Sequence, residues 1–325
     1  MRGSTRVASL GGALLLSVTA LAFQHPRVIT AHAAGCTDTW IGGGGDFGTG
    51  SDWSTGSVPG SSDDVCINAT TTTTPQAAAD AYTVGVSNNY TVHSLTLGAA
   101  SGAQTLAIGQ ASNLQLQSAS SVGTNGVVQV GTGAGSGPPA TLGGGVTLTN
   151  DGLITTDSCA ACGKQLMVNT VNDPSGTIDI LTSMTVGGVT NSGTLKLEVV
   201  NGMTRMFLGS GPVPFTNNSD GTVVVKINTA GAWGGISGGS VSLAGTLDVI
   251  TTGAPSQSSW PVIANTSRTG TFDAYNYVGA SYSPVYSSSG LTLGPPSAVT
   301  PEAPVVPLLL LIAGPVALLL WNRRR

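Results

Sequence analysis

The chain has 325 residues, of which only 8% are charged and 47 are glycine, about twice the usual share of glycine. This composition excludes a charge-rich helical protein. The formal net charge of −4 and the 40% share of apolar residues also exclude the strongly charged, weakly apolar class that stays disordered. Small and β-branched apolar residues together with abundant Ser and Thr favour strands and turns. We therefore expect almost no helix between the two ends.

The amino terminus carries the pattern of an export signal. Arg2 and Arg6 precede an apolar run at 7–23, and a small-x-small pattern ends at Ala33. We expect residues 1–33 to be a signal peptide that is cleaved after Ala33, and the rest of the chain to be secreted.

The carboxyl terminus carries the pattern of a membrane anchor. A proline-rich linker at 295–304 leads into 305–320, which contains no charged residue. At ~1.5 Å per residue this stretch spans roughly 25 Å as a helix, and an interfacial Trp321 together with snorkelling arginines extends it. The basic tail consists of Arg323, Arg324 and Arg325. Such a tail stays in the cytoplasm, so we expect a single transmembrane helix within 305–325 and an extracellular ectodomain.

The short motif before the anchor carries a resemblance. It comprises Pro301, Glu302 and Pro304, with Ala303 departing from a strict Pro-Glu-Pro. Motif, apolar helix and arginine tail together resemble the tripartite sorting signals of bacterial surface proteins, most closely the PEP-CTERM type or the PExP-type anchors of high-GC Gram-positive bacteria. The resemblance implies attachment to the bacterial cell envelope.

The expected ectodomain is acidic and contains all four cysteines. Residues 35–300 hold five basic and fourteen acidic side chains, which argues against a nucleic-acid partner, since phosphates need clustered Lys and Arg. Cysteines in an exported chain favour disulfides. Of the three possible pairings we favour Cys36–Cys66 and Cys159–Cys162. A redox role for Cys159 and Cys162 is the alternative, and it needs a βαβ setting that the sequence lacks.

Repeated units organise the middle of the chain. Each unit places an Asn and a Gly before a short alternating strand, and the glycines at 152, 176, 193, 221 and 245 fall 24, 17, 28 and 24 residues apart. One strand of about five residues is too short to form a core, whereas stacked coils bury its apolar side chains. We expect Gly and Asn to take positive φ at the corners. The predicted fold is all-β, a right-handed parallel β-helix over 80–250, with a β-sandwich as the alternative.

The two flanking segments, 34–79 and 251–294, contain aromatic residues suited to cap a solenoid. The first reads Trp-x-Gly-Gly, Gly-x-x-Trp, a Pro-Gly turn and an Asp-x-Val-x-Ile strand. It resembles the opening of exported bacterial β-helix proteins such as adhesins and autotransporter passengers. We expect Trp40, Trp53, Tyr282 and Tyr286 to cover the ends of the stack. A sugar-stacking platform is the alternative role for these rings.

No constellation of residues identifies a reaction. His93 is the one histidine of 35–300, and its strand context favours a structural role over that of a catalytic base. Paired carboxylates of a glycosidase would have to come from residues near the repeat turns, namely Asp151, Asp157, Asp173, Asp179 and Asp220. Aspartates at turns more often cap them. We expect no cofactor and no metal site.

The sequence therefore predicts a non-catalytic, membrane-anchored β-solenoid at the cell surface, serving adhesion or envelope architecture. Its expected partners are the membrane, through the C-terminal helix, and surface glycans or matrix. The alternative is an exported β-helix that binds or cleaves polysaccharide, and carboxylates converging with Lys or Arg would favour that alternative.

Overall fold

The computed structural model describes residues 35–68, 81–133, 137–200, 202–209, 214–254, 257–295 and 297–298. The predicted signal peptide, sorting motif and membrane anchor lie outside the described residues. Within these ranges no helix is long and apolar enough to cross a membrane. A single 3-10 turn, Gly50–Asp52, is the one helical element of the described residues.

Short strands account for most of the described chain. In chain order they are β1 (Asp38–Thr39), β2 (Gly45–Asp46), β3 (Asp64–Ile67), β4 (Tyr82–Val86), β5 (Asn89–Val92), β6 (Ser94–Leu97), β7 (Gln104–Gly109), β8 (Asn113–Leu116), β9 (Ser120–Val122), β10 (Gly126–Thr132), β11 (Ala140–Gly143), β12 (Thr147–Asn150), β13 (Leu153–Thr156), β14 (Lys164–Leu166), β15 (Asn169–Asn172), β16 (Thr177–Ile180), β17 (Met184–Val186), β18 (Val189–Asn191), β19 (Thr194–Leu197), β20 (Thr204–Leu208), β21 (Pro214–Asn217), β22 (Thr222–Asn228), β23 (Gly234–Ser237), β24 (Ser240–Leu243), β25 (Thr246–Thr252), β26 (Trp260–Ala264), β27 (Ser267–Gly270), β28 (Ala274–Val278), β29 (Ala280–Ser281), β30 (Pro284–Ser287), β31 (Gly290–Leu293) and β32 (Ser297–Ala298).

The strands form a three-sided parallel β-solenoid of about nine turns. From β3 onward every third strand joins the same sheet. The first sheet runs from β1 through β3 and β6 to β27, and the second from β2 through β4 and β7 to β28. The third sheet runs from β5 through β8 to β26 and ends on β31 and β30. Each turn therefore adds one strand to each sheet. The parallel pairing confirms the predicted β-helix and excludes the β-sandwich alternative.

The core is one continuous column of apolar side chains inside the three sheets. Leu195 and Leu197 of β19 are 0% and 1% exposed, while Lys196 between them is half-buried on the outer side. Alternation along each strand directs one set of side chains inward and the other toward solvent. The predicted inward orientation of the two leucines is confirmed.

A ladder of asparagines replaces apolar residues at one corner of the core. Asn150, Asn172, Asn191 and Asn217 occupy the same register position on consecutive strands of the first sheet, and all are 1% exposed or less. The Nδ2 atom of each donates to the Oδ1 atom of the next at 2.7 Å. The stacking of coils thus gives the Oδ1 atoms of Asn172, Asn191 and Asn217 a donor, while the Oδ1 atom of Asn150 at the end of this asparagine ladder has no hydrogen-bond partner among the described residues.

The expectation that Asn and Gly take positive φ at these corners is wrong for the ladder asparagines and for Gly193, and it is correct for Gly245. Among the described residues Ala111 is the one non-glycine with positive φ, so the ladder asparagines are not in the left-handed region. Gly193 also lacks a positive φ, but a Cβ there would lie 2.3 Å from carbonyl oxygens of Asp173 and Gly176. Close approach of the preceding coil requires this glycine. Gly245, with φ of +69°, combines both requirements.

The solenoid pattern extends beyond the central repeats at both ends. β1 and β3 already pair in parallel within 34–79, and β27 and β28 continue the first two sheets within 251–294. The third sheet closes differently, because β31 pairs antiparallel with both β26 and β30. This hairpin covers a sheet edge that would otherwise present unpaired backbone groups.

Candidate functional site

Three buried aromatic rings lie at the N-terminal end of the solenoid. The rings of Trp40 and Trp53 pack edge to face with centroids 5.0 Å apart, and Phe47 contacts Trp53 at 4.9 Å. Both indole nitrogens donate to nearby backbone carbonyls, at 2.9 and 2.8 Å. Trp40 is 0% and Trp53 1% exposed, so neither ring is available for stacking on a sugar.

A tyrosine cluster lies at the C-terminal end. Tyr282 is buried and its hydroxyl hydrogen-bonds Thr251 Oγ1 at 2.7 Å, which is the expected arrangement for a buried tyrosine. Tyr286 is half-buried, hydrogen-bonds the hydroxyl of Tyr275, and lies 4.7 Å from the guanidinium carbon of Arg268. Burial and the hydrogen bond with Tyr286 raise the pKa of Tyr275. The hydroxyl of Tyr275 therefore stays neutral at physiological pH.

The structure contains both expected disulfides, Cys36–Cys66 and Cys159–Cys162. The second closes a short loop whose carbonyl oxygens hold a buried lysine. Lys164 Nζ donates to the carbonyl of Cys159 at 2.6 Å and that of Cys162 at 3.0 Å. Burial lowers the pKa of Lys164, and Asp157 partly opposes that shift. The loop thus has a structural task, satisfying a buried ammonium group.

His93 contacts Asp64 on the surface of the first turns. Its Nδ1 atom lies 2.8 Å from Asp64 Oδ1, and Ser94 Oγ donates to the same oxygen at 2.5 Å. The hydrogen bonds from Ser94 and His93 hold the pKa of Asp64 below its ordinary value. The serine therefore contacts the aspartate and not the histidine, which is not the order a nucleophilic triad requires.

Two of the five aspartates predicted near turns accept side-chain hydrogen bonds. Asp151 Oδ1 accepts from Ser175 at 2.9 Å, and Asp157 Oδ1 accepts from the backbone nitrogen of Cys159 at 2.6 Å. Burial and the neighbouring Asp151 raise the pKa of Asp173. The described residues contain no group of three or more His, Cys, Asp and Glu placed to hold a metal ion.

A row of charged side chains crosses the outer side of the second sheet. Asp179 of β16 is level with Lys196 of β19, and Glu198, just after β19, pairs with Lys226 of β22. Asp248 of β25 occupies the same register position as Lys196, two strands further along the sheet. Its Oδ1 atom accepts a hydrogen bond from Asn276 Nδ2 at 2.8 Å. We call these residues the charged row: Asp179, Lys196, Glu198, Lys226 and Asp248. It brings together three carboxylates and two of the five basic residues of 35–300.

Asp179 is the most constrained member of the charged row. Its Oδ1 atom is buried and has no hydrogen-bond partner in the part of the chain that the structure describes. Burial and the charge of Glu198 raise its pKa, while Lys196 and Lys226 act in the opposite direction. A carboxyl group with a raised pKa beside another carboxylate can serve as a proton donor or bind a hydroxyl ligand. Sequence reasoning identified Asp179 as a candidate but not its partners. Because the coils differ in length, spacing in the sequence does not show which side chains lie next to it.

The outer side of the first sheet carries a column of hydroxyl groups. Consecutive strands place a Ser or Thr at the same register position, interrupted only by Val171 between Thr149 and Thr190. We call it the hydroxyl column: Thr96, Ser121, Thr149, Thr190, Thr216, Ser242 and Thr269. Members on neighbouring strands are separated by the ~4.8 Å strand spacing. The column is an uncharged, hydrogen-bonding stripe along the solenoid.

Comparison of the chain with protein-family models, with curated proteins and with solved structures finds no match in any of the three. The parallel β-solenoid is therefore established from the strand pairing of this chain itself.

Proposed function

We propose that the chain is a non-catalytic β-solenoid displayed on a bacterial envelope for adhesion or envelope architecture. The hydroxyl column is the observation that carries this proposal. The column spans eight successive strands of the first sheet, from Thr96 to Thr269. Seven of these strands carry a hydroxyl group, which can both donate and accept a hydrogen bond. Such a repeating polar surface suits many weak contacts with a polymer, which add through multivalency.

The anchoring part of the proposal depends on the sequence at the two ends. The export pattern of 1–33 and the apolar stretch with its arginine tail at 305–325 support a single-pass protein with its ectodomain outside. The motif at Pro301, Glu302 and Pro304 supports PEP-CTERM-like sorting. A right-handed coil is expected, because parallel crossovers are almost always right-handed.

Protease treatment of intact cells tests the topology. We expect the ectodomain to be removed while the arginine tail stays protected inside. Recovery of soluble full-length chain from the medium, with its tail attached, would contradict the anchored arrangement.

Adhesion is tested by two matched double variants in cells that display the chain. Thr190→Lys with Thr216→Lys places two charges on adjacent members of the hydroxyl column. Thr194→Lys with Thr222→Lys places the same charges on adjacent strands of the second sheet. We expect the first pair to reduce adherence to glycan- or matrix-coated surfaces several-fold and the second pair to leave it unchanged. Equal adherence of both variants would refute the role of the column.

The charged row favours a second candidate, an exported β-helix that binds or cleaves polysaccharide. Asp179 and Glu198 supply carboxyl groups of the type used in sugar hydrolysis, and Lys196 lies beside Asp179. Incubation of the protein with polysaccharides followed by analysis of released sugars separates the two candidates. Release that disappears in Asp179→Asn would replace the non-catalytic proposal.

A further inference from the structure

A groove opens at the corner between the second and third sheets, at the ends of β4, β7 and β10. Its volume is about 380 Å³, within the range of small-molecule sites. Side chains from three consecutive turns line it: Val86, Ser87, Ala107, Gln110, Ser112 and Thr132. Three glycines at positions 85, 109 and 133 complete the lining, so backbone is accessible between the side chains.

The backbone is irregular at this corner. The register of β10 against β7 shifts between Val130 and Thr132, which is a bulge of the kind that accompanies binding sites. Gly131 and Gly133 have φ of +95° and +108°, and Ala111 has φ of 60° in the turn after β7. Among the described residues, Ala111 is the one non-glycine that adopts this left-handed conformation, which is costly for a residue with a Cβ. These irregular residues lie beside the side chains that line the groove.

The polar groups of the groove are neutral and incompletely used. Gln110 Nε2 donates to the carbonyl of Gly163 at 3.2 Å, whereas its Oε1 atom accepts no hydrogen bond from any described residue. Ser112 Oγ donates to the carbonyl of Gln110 at 3.4 Å. The hydroxyl of Ser87 donates to Asp46 at 2.5 Å. An unpartnered buried amide oxygen is costly, and a ligand hydroxyl would satisfy it.

The chemistry of the lining selects the ligand. None of the lining residues is ionisable, and the carboxylate that Ser87 contacts disfavours anions. Ala107, on the outer side of β7, provides a small apolar surface beside the amide and hydroxyl groups, whereas Val86 is buried in the core beneath the groove. A neutral sugar ring has the matching character, with C–H faces for the apolar part and hydroxyls for Gln110, Ser112 and Thr132. An anionic ligand would find no cationic side chain in the lining and would face the carboxylate of Asp46 beside Ser87.

We propose that this groove binds one neutral sugar unit of a surface or matrix glycan. The proposal rests on the adhesive function above and names the class of its partner. The hydroxyl column then makes many weak contacts along the polymer. The groove adds selectivity, because it binds a sugar unit whose hydroxyl groups are uncharged.

Calorimetric titration of the full-length chain tests the groove. The neutral probes are glucose, galactose, mannose and N-acetylglucosamine, and galacturonate is the charged probe. We expect at least one neutral probe to bind and galacturonate to bind at least about tenfold more weakly. Absence of binding by all four neutral probes at about 20 mM, or tighter binding of galacturonate, would overturn the proposal.

Two variants and one control locate the binding. Ala107→Leu fills the groove from an outward position on β7 and is expected to abolish binding. Gln110→Ala removes the unpartnered oxygen and is expected to weaken binding about 3- to 10-fold without adding bulk. Thr105→Leu adds a similar side chain to the same outer face of β7, outside the groove, and is expected to change binding less than twofold. Parent-like binding by both groove variants would overturn the proposal.

Adherence of cells that display these variants separates the two proposals. Loss of sugar binding with full adherence in Ala107→Leu would overturn the groove as the adhesive site and leave the adhesive function standing. Sugar binding by the parent without any adherence would contradict the adhesive function and leave the groove standing.

Discussion

The asparagine ladder predicts a measurable difference between two chemically identical substitutions. Asn191 lies within the ladder, accepting from Asn172 and donating to Asn217, each at 2.7 Å. Asn150 lies at its end, and its Oδ1 atom has no hydrogen-bond partner among the described residues. Leucine fits either site by size, because Leu243 and Val122 hold the positions that flank the ladder.

The magnitude follows from counting the buried groups that each substitution leaves unsatisfied. Asn191→Leu leaves Asn217 Oδ1 without its donor, whereas Asn172 Nδ2 keeps the carbonyl of Gly176 at 3.2 Å. Asn150→Leu leaves Asn172 Oδ1 without its donor but also removes an oxygen that was already unsatisfied. One net buried acceptor without a partner costs about 1–3 kcal/mol. Asn191→Leu should therefore be less stable than Asn150→Leu by about that amount.

Urea denaturation followed by far-UV circular dichroism measures this difference. The unfolding free energy of the parent and of both variants should fall with urea at the same slope. Their midpoints then report differences in stability. Equal midpoints for the two variants would refute the reasoning, because the ladder would then contribute nothing through its hydrogen bonds.

Three further predictions concern single positions of the second sheet and the corner before it. Leu195→Asp should abolish the folded signal in circular dichroism, since it buries an unpaired charge, while Lys196→Asp should retain it; a stable Leu195→Asp variant would disprove the inward assignment. Gly193→Val should lower stability by about 1–3 kcal/mol, because the new Cβ meets carbonyl oxygens of the preceding coil, and an unchanged urea midpoint would count against that contact. Asp179→Asn should raise thermal stability at neutral pH and lose this advantage below about pH 3.8, the ordinary pKa of the group. The sign follows because a raised folded-state pKa favours the protonated form, so the parent loses stability as pH rises through that pKa; a variant less stable than the parent at neutral pH would contradict it.

The repeats in the sequence are enough to predict the solenoid architecture. Alternation such as Leu195-Lys196-Leu197 fixes which side chains enter the core, because the period of a strand is two residues. Five-residue strands separated by glycine corners cannot form a core alone, and stacking is the arrangement that buries them. The positions of the four cysteines were enough to choose the correct pairs, since each pair lies within or next to one turn.

The hydrogen-bond partners at the corners and the ion pairs on the faces depend on how the turns stack, which only the tertiary structure decides. Asn191 in the sequence is typical of a turn, yet in register with Asn172 and Asn217 it becomes a buried rung whose hydrogen bonds come from other coils. Likewise, Glu198 and Lys226 are 28 residues apart in the chain and become an ion pair because β19 and β22 are neighbours. Coil length varies along this chain, so spacing in the sequence does not give register. Register is set by which apolar side chains fill the same layer of the core, and that is a property of the packed solenoid.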